Sequence, residues 1–329
     1  MRILYAIQGT GNGHISRARE IVPLLQQYGE LDLLVSGTQA DVNLSQPLAY
    51  RFHGFSFVFG KKGGVDHWQT YKTMNLSRLK KDISSIPLKK YNLIINDFEP
   101  VTAWACKLQK VPSVSLSHQA AFLSEKTPRP SNFFHWAEWV FKHYAPSTHH
   151  IGFHFERYDD FIHTPVIRSD IRRQEPIDLG HITVYLPAFD DRFLLTHLKK
   201  IPEVQWEVFS KHASQAYQDG NVSVRPVNNE QYNKSLASAH GLLTGGGFEG
   251  PAEALFLGKK VLVIPMKNQY EQLCNAEAAR RLGIPVLHQI DDQFAAKLRV
   301  WISDPFDVKM TFPDETSGII GNMVNKFAF

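Results

Sequence analysis

Leu243-Thr244-Gly245-Gly246-Gly247-Phe248-Glu249-Gly250-Pro251-Ala252-Glu253-Ala254-Leu255-Phe256-Leu257-Gly258 is the stretch that decides how the rest of the chain is read. It has the form of a buried strand end, a glycine turn and a short helix. Glycines allow a sharp bend and a close approach of backbone to a ligand. Pro251 suits a first helical turn, where its missing N–H costs nothing, and Gly258 suits a helix stop. A helix start presents unpaired N–H groups and the positive end of a dipole, which favours an anion such as a phosphate. Glu253 follows Pro251 by about half a turn. From there a carboxylate can accept two hydroxyls, as a ribose offers them.

The surroundings of that stretch alternate regularly. Apolar runs at residues 181–187, 204–209, 222–224, 241–243 and 260–265 read as strands. Helical patterns fall near 192–200, 229–239 and 270–282, with a short strand expected at 285–287 and an acidic-started helix at 314–329. The first half follows the same rule. Residues 2–7 are apolar after Arg2, as a strand covered on both faces would be. Gln8-Gly9-Thr10-Gly11-Asn12-Gly13-His14 then leads into a helix-like stretch in which Ile15, Ala18, Val22 and Leu25 share a face. Pro23 is expected to kink or shorten that helix. Strands are expected at 32–36, 91–97 and 113–117, a helix at 101–109 and a loop over Gly60-Lys61-Lys62-Gly63-Gly64. Strand, glycine turn, helix, strand is the opening of a parallel βαβ unit.

This makes two α/β domains: residues 1–168, a polar linker at 169–180, a second unit at 181–312, and a last helix at 313–329 that can pack back on the first unit. The fold class is α/β, with two Rossmann-like doubly wound parallel sheets facing a cleft. Ligands of open α/β sheets bind beyond the carboxyl ends of the strands. His14, Asp97 and His118 all stand just beyond such ends.

The first glycine turn is not the dinucleotide fingerprint, because Gly9, Gly11 and Gly13 alternate. Nor is it a P-loop, because no Gly-Lys-Ser/Thr follows. His14 has the near-neutral pKa of a general base, and Asp97 can orient it. Equally, His14 can cap its helix, Asp97 can be a strand-end hydrogen-bonding group, and His118 can be structural. A cluster of aromatic residues and histidines, including Phe133, Phe134, Trp136, Trp139, Phe141, His149, His150 and His154, fits packing, an apolar acceptor groove or a membrane-facing helix. Its spacing matches no zinc pattern. Asp159-Asp160, Asp190-Asp191 and Asp291-Asp292 are adjacent pairs of the kind found in turns and caps.

The totals are those of a globular chain: 329 residues, 43% hydrophobic, net charge +4 with histidines neutral, and pI near 8.9. That mild basicity is compatible with phosphorylated ligands or anionic lipid. The two cysteines, Cys106 and Cys274, make neither a disulfide framework nor a metal quartet. No apolar run approaches the roughly 18 residues of a membrane span, and the first residues lack a signal-peptide pattern. A reduced cytoplasmic protein, with peripheral association at the inner membrane face compatible, is the expectation.

Residues 244–283 carry a family resemblance. Gly-Gly-Gly-Phe-x-x-x-x-Glu-Ala-Leu-x-x-Gly-Lys-x-x-x-x-x-Pro, followed by Glu271-Gln272-Leu273-Cys274-Asn275-Ala276, resembles the donor-site signature of GT-B fold glycosyltransferases. The nucleotide-sugar glucuronosyl- and glucosyltransferases and the peptidoglycan N-acetylglucosaminyltransferases are the members it is most similar to. The resemblance implies that Gly245, Gly246, Gly247 and Phe248 hold a pyrophosphate, Glu253 a ribose, and Glu271 and Gln272 the sugar hydroxyls. Gly9-Thr10-Gly11-Asn12-Gly13-His14 is similar to the acceptor-side turn, in which Thr10, Gly11, Asn12 and Gly13 form the loop. There a histidine like His14 acts as base, with an aspartate like Asp97 behind it; His118, from its place at a strand end, is a further acceptor-side candidate. Pro165-Val166-Ile167-Arg168 resembles a Pro-Val-Arg segment near the nucleotide, with one residue inserted.

The activity so implied is transfer of a sugar from a nucleotide-diphosphate donor, UDP-linked by the family's habit, to an acceptor hydroxyl. It is expected to be inverting, without metal or cofactor, and without a nucleic-acid partner. A lipid or cell-envelope glycan is the acceptor class most compatible with the basic first half and the aromatic cluster. Two other functions use the same layout. A nucleotide-sugar 2-epimerase would need extra cleft carboxylates, for which Glu99, Glu249 and Glu271 are available. A non-catalytic nucleotide-sugar-binding protein would close on its ligand without turnover.

Overall fold

The fold is that of a computed structural model, which describes residues 1–10, 12–37, 46–53, 76–131, 135–306, 308 and 310–328. Gly11 and the loop expected at residues 60–64 lie outside the described residues.

The first sheet has seven strands in the order β3-β2-β1-β4-β5-β6-β7. They are β1 (Arg2–Gln8), β2 (Glu30–Ser36), β3 (Tyr50–Phe52), β4 (Leu93–Asp97), β5 (Val114–Ser117), β6 (His149–Phe153) and β7 (Ile162–His163). Every neighbouring pair is parallel. Helices α1 (Asn12–Gln26), α2 (Leu76–Ser85), α3 (Pro100–Gln109) and α4 (His135–Tyr144) belong to this half, and α5 (Ser169–Arg172) follows it. The second sheet has six strands in the order β10-β11-β9-β8-β12-β13. These are β8 (Ile182–Tyr185), β9 (Trp206–Ser210), β10 (Tyr217–Asp219), β11 (Val222–Pro226), β12 (Gly241–Gly245) and β13 (Lys260–Ile264). All pair in parallel except the edge strand β10. Its helices are α6 (Asp191–Leu198), α7 (Asn229–Ser238), α8 (Glu249–Phe256), α9 (Tyr270–Arg281) and α10 (Phe294–Ser303), and α11 (Thr316–Phe327) comes last.

β1 lies in the middle of its sheet because its side chains are apolar on both faces. Ile3, Tyr5 and Ile7 face one core, Leu4 and Ala6 another. The first core does not stop at the sheet boundary. It continues through Phe248, Ala252 and Leu255 of the second half and through Ile320 and Met323 of α11. The two halves are therefore packed on each other, and α11 lies against α1.

In each sheet the chain reverses its winding beside one central strand, at β1/β4 and at β8/β12. Such switch points open a crevice at the strands' carboxyl ends. β1 and β4 run in register, with Ile7 beside Asp97.

Several local expectations need correction. α1 begins at Asn12, before Ile15, so Asn12, Gly13 and His14 form its first turn. Pro23 does not shorten it. The helix runs on to Gln26 because Ile21, Val22 and Leu25 are packed in the core, which outweighs the one lost hydrogen bond. The strand expected at 285–287 is a single bridge of Val286 to Val263, since Pro285 has no N–H to extend the ladder.

Candidate active site at the switch points

His14 is the third residue of α1, and Asp97 is the last of β4. Their pairing follows from that placement: His14 Nδ1 lies 2.7 Å from Asp97 Oδ1. Both are buried, Asp97 completely. Gln119, in the turn after β5, puts its Nε2 3.4 Å from His14 Nε2. A carboxylate oxygen only accepts, so the 2.7 Å Asp97 contact calls for the ring proton on Nδ1; Arg17 Nη2 also lies 3.1 Å from that nitrogen, and Nε2 is turned to the Gln119 amide.

Arg17, one turn further along α1, was not visible as a site residue from the sequence. Its Nε and Nη2 donate to Asp97 Oδ2 and Oδ1 at 3.2 and 2.6 Å. Burial pushes the Asp97 carboxyl up, but the charges of Arg17 and His14 and their hydrogen bonds outweigh it and leave it below the usual carboxylate range. Tyr5 closes the cluster, its hydroxyl 3.4 Å from Asp97 Oδ2. Phe98 follows Asp97 at φ 54°, a left-handed conformation that a bulky residue adopts only under constraint. That turn lays its ring parallel to the His14 imidazole, with centroids 6.5 Å apart, and against Phe141 and Tyr144 of α4. Part of the aromatic cluster thus walls His14.

Thr10 accepts a hydrogen bond from Gln8 at 2.8 Å, pinning the first turn to its strand. Gly9 is required by crowding: a Cβ there would meet Val35 and Ser36 of the adjoining strand at about 3 Å.

Across the cleft, β12 ends at Gly245 and α8 begins at Glu249. Gly258 has φ 69° and ends α8 as its position suggested. The three glycines differ in surroundings. A Cβ on Gly246 would lie 2.8 Å from the Gln272 backbone oxygen, whereas one on Gly247 would meet nothing within 4 Å. Gly246 is glycine for packing, and Gly247 faces open space. Gln272 Oε1 accepts from Gly246 N at 3.2 Å and Met266 N at 2.9 Å, so this side chain holds the turn. Glu271 is partly exposed beside His118, 4.0 Å from its Nε2.

Glu253 and Arg168 are both buried and meet face to face. Arg168 donates through Nε and Nη2 to the two carboxylate oxygens, the second at 2.7 Å, and also reaches Asn229 and Asn233. Burial raises the Glu253 carboxyl, and the Arg168 guanidinium opposes that rise. With a bidentate fork on an always-charged arginine, the ion pair is the form the geometry favours. Each Glu253 oxygen is engaged once and retains a second lone pair.

His118 is enclosed between the two halves. It is 1% exposed, with Nδ1 2.8 Å from the Phe153 carbonyl and Nε2 2.8 Å from Asn275 Oδ1 of α9. Its ring stacks on Phe248 at 3.8 Å. Asn275 in turn donates to the Gly246 carbonyl. His118 is thus a peg between the halves, and burial lowers its pKa against the opposing pull of Glu271 and Glu249.

Among the 2-epimerase carboxylates, Glu99 caps α3, accepting from Val101 N and Thr102 N at 2.7 Å and from the Ser36 hydroxyl. Asp190 caps α6, and Asp291 accepts from Gln293 N, as adjacent acidic pairs in caps do. Among the described residues, no group of three or more His, Cys, Asp or Glu is placed to hold a metal. The two cysteines are free and buried, and burial pushes both thiols up to about 12.

A family model described as glycosyl transferase family 1 matches residues 1–303. No curated protein matches by sequence. Solved structures do match over nearly the whole chain. Acinetobacter baumannii MurG is 14% identical, covers 98% of this chain and 99% of its own, and has a TM-score of 0.57. LpCGTa, solved in complex with UDP, is 13% identical, covers 100% and 99%, and has a TM-score of 0.63. The Streptomyces sp. SF2575 glycosyltransferase SsfS6, complexed with thymidine diphosphate, is 12% identical, covers 98% and 99%, and has a TM-score of 0.56. At these identities the likeness is one of fold: two facing parallel α/β sheets, the GT-B arrangement.

Proposed function

The chain belongs to glycosyl transferase family 1, and from that premise we propose that it moves a sugar from a nucleoside diphosphate donor, UDP-linked in the first instance, to an acceptor hydroxyl with inversion and without a metal. The observation that carries this reading is the buried His14–Asp97 pair standing across the cleft from the Gly245–Phe248 turn. His14 Nε2 takes the acceptor hydroxyl proton as that oxygen attacks the anomeric carbon. The bond from that carbon to the diphosphate oxygen breaks, and its electron pair leaves with the nucleoside diphosphate. Asp97 holds Nδ1–H and stabilises the imidazolium that forms. The developing phosphate charge falls at the turn and the α8 N-terminus, where backbone N–H groups and the helix dipole meet it.

In this reading Glu253 offers the ribose hydroxyls its remaining lone pairs, with Arg168 as its counter-charge, and Glu271 takes the donor sugar's hydroxyls. Residues 1–168 and 181–312 act as the acceptor and donor halves. For the acceptor we favour a lipid-linked or envelope glycan at the inner membrane face. α4 exposes Trp139 (63%) and Val140 (39%) beside the site, while no helix among the described residues is long and apolar enough to cross a membrane.

The test is a panel of UDP- and dTDP-sugars read by thermal shift, since a ligand of the native state must raise the melting temperature. Slow release of sugar to water from the binding donor is then followed in the wild type and in His14→Ala. Unchanged release in that variant would remove His14 as the base. Silence across the panel would remove the nucleotide-sugar reading. Transfer unaffected by a chelator is expected.

A further inference from the structure

Arg17 bonds in both directions across the cleft. Nε and Nη2 grip Asp97 within the first half. Nη1 reaches Glu249 Oε1, which α8 carries in the second half. The two partners differ in setting. Arg17 is 2% exposed and Asp97 is wholly buried, but the Glu249 side chain is 25% exposed. One edge of the guanidinium fork is therefore locked inside the first half, and the other faces the cleft through a partner that solvent reaches.

Glu249 follows directly on the turn to which the proposed function assigns the donor's diphosphate. Its carboxylate rests on the first turn of α1, so closely that a Cβ on Gly13 would run into it. Beside it, Gly247 faces open space. A diphosphate entering there brings further negative charge next to a carboxylate, a like-charge juxtaposition that costs affinity. Only one anion at a time can take the outer edge of Arg17, because the inner edge is bound to Asp97.

Resting on the proposed nucleotide-sugar reading, we infer that Arg17 exchanges partners: it holds Glu249 in the empty protein and the donor's diphosphate in the loaded one, while its inner edge keeps Asp97 aligned with His14. Glu249 is the occupant that the donor displaces, and Arg17 is the positioning residue that links donor arrival to the base. The planar fork suits both roles, since it matches carboxylate and phosphate alike.

The experiment is calorimetric titration of UDP and uridine, with thymidine diphosphate and thymidine in parallel, into the wild type, Glu249→Gln and Arg17→Lys. Glu249→Gln is expected to bind the diphosphate about tenfold more tightly, with nucleoside affinity unchanged. Glu249→Ala shifts the same way and stands in if the Gln variant misfolds. Arg17→Lys keeps the charge but not the fork, and is expected to weaken diphosphate binding more than nucleoside binding. Diphosphate affinity that is unchanged or weaker without the Glu249 carboxylate overturns the exchange. Equal losses for diphosphate and nucleoside in Arg17→Lys overturn the phosphate contact. A wild type that binds neither diphosphate overturns the nucleotide-sugar reading itself, which is a different failure from a wild type that binds while Glu249→Gln gains nothing.

Discussion

The two halves meet the cleft with the same device, a central strand running through a glycine turn into a helix, but they equip it differently. The turn after β1 is followed by buried charge: His14, Arg17 and Asp97 are all nine-tenths or more buried and bonded to one another. The turn after β12 has glycine backbone, with Gln272 and Asn275 tying it down through neutral amides. Fixed charges orient and hold a proton, whereas backbone N–H groups receive an anion without a counter-charge of their own. On the proposed reading, the contrast is between a half that handles the proton and a half that holds the leaving group.

The strongest way to break that contrast is to remove His14, the proposed base. His14→Ala should lower transfer by about 10²–10⁴-fold while leaving nucleoside diphosphate affinity near wild type. A parallel loss of affinity would mean that His14 belongs to the donor site instead. Next in size is the buried ion pair. Asp97→Ala leaves Arg17 without its internal counter-charge and should destabilise the fold by roughly 3–5 kcal/mol, read from urea unfolding midpoints. A change of less than about 1 kcal/mol would show that Glu249 and solvent suffice for Arg17.

The donor half is sharpened by its own internal pair. Gly246→Ala forces a methyl against the Gln272 backbone and should cost about 1–3 kcal/mol. Gly247→Ala has room, so stability should stay within about 0.5 kcal/mol while nucleotide binding weakens, because the methyl fills ligand space. If both behave alike in unfolding and in binding, the turn is not divided as described.

The smallest effect is a pH dependence at the seam. The folded His118 pKa is depressed, first by burial, so the unfolded chain binds more protons than the native one near and below the ordinary value of about 6.5. Stability that is present above that value should fall as the pH drops through it, by at most about 1.4 kcal/mol per unit for this group. His118→Gln should flatten that limb of a stability-against-pH curve. An unchanged limb would assign it to other histidines such as His154, which burial also depresses.

What could be read from the sequence was what short-range chemistry controls. The strand–turn–helix order, the Gly258 stop and the placement of His14 and Asp97 each just beyond its own strand depend on residues within one βα unit; that the two strands are neighbours, with His14 and Asp97 83 positions apart, does not. The rest depends on partners far apart in the chain. Arg17 meets Glu249 across 232 positions, His118 meets Asn275 across 157, and Arg168 meets Glu253 across 85. No periodicity reports such meetings. Arg17 stood in the helical stretch without a role, and His118 read as a strand-end histidine open to an acceptor-side or a structural role. A Pro inside a helix is a local signal as well, yet at Pro23 tertiary packing overruled it.

The helix α11 has a consequence for how the chain comes into being. It lies against α1, and Phe327 stacks on His149 of β6 at 4.4 Å, so the last helix seals the first unit. During synthesis from the first residue onward, the stripe of α1 that Ile320 and Met323 cover stays open until residues 316–327 have left the ribosome. The nascent first half must wait, incomplete and with apolar surface showing, through translation of the whole second sheet.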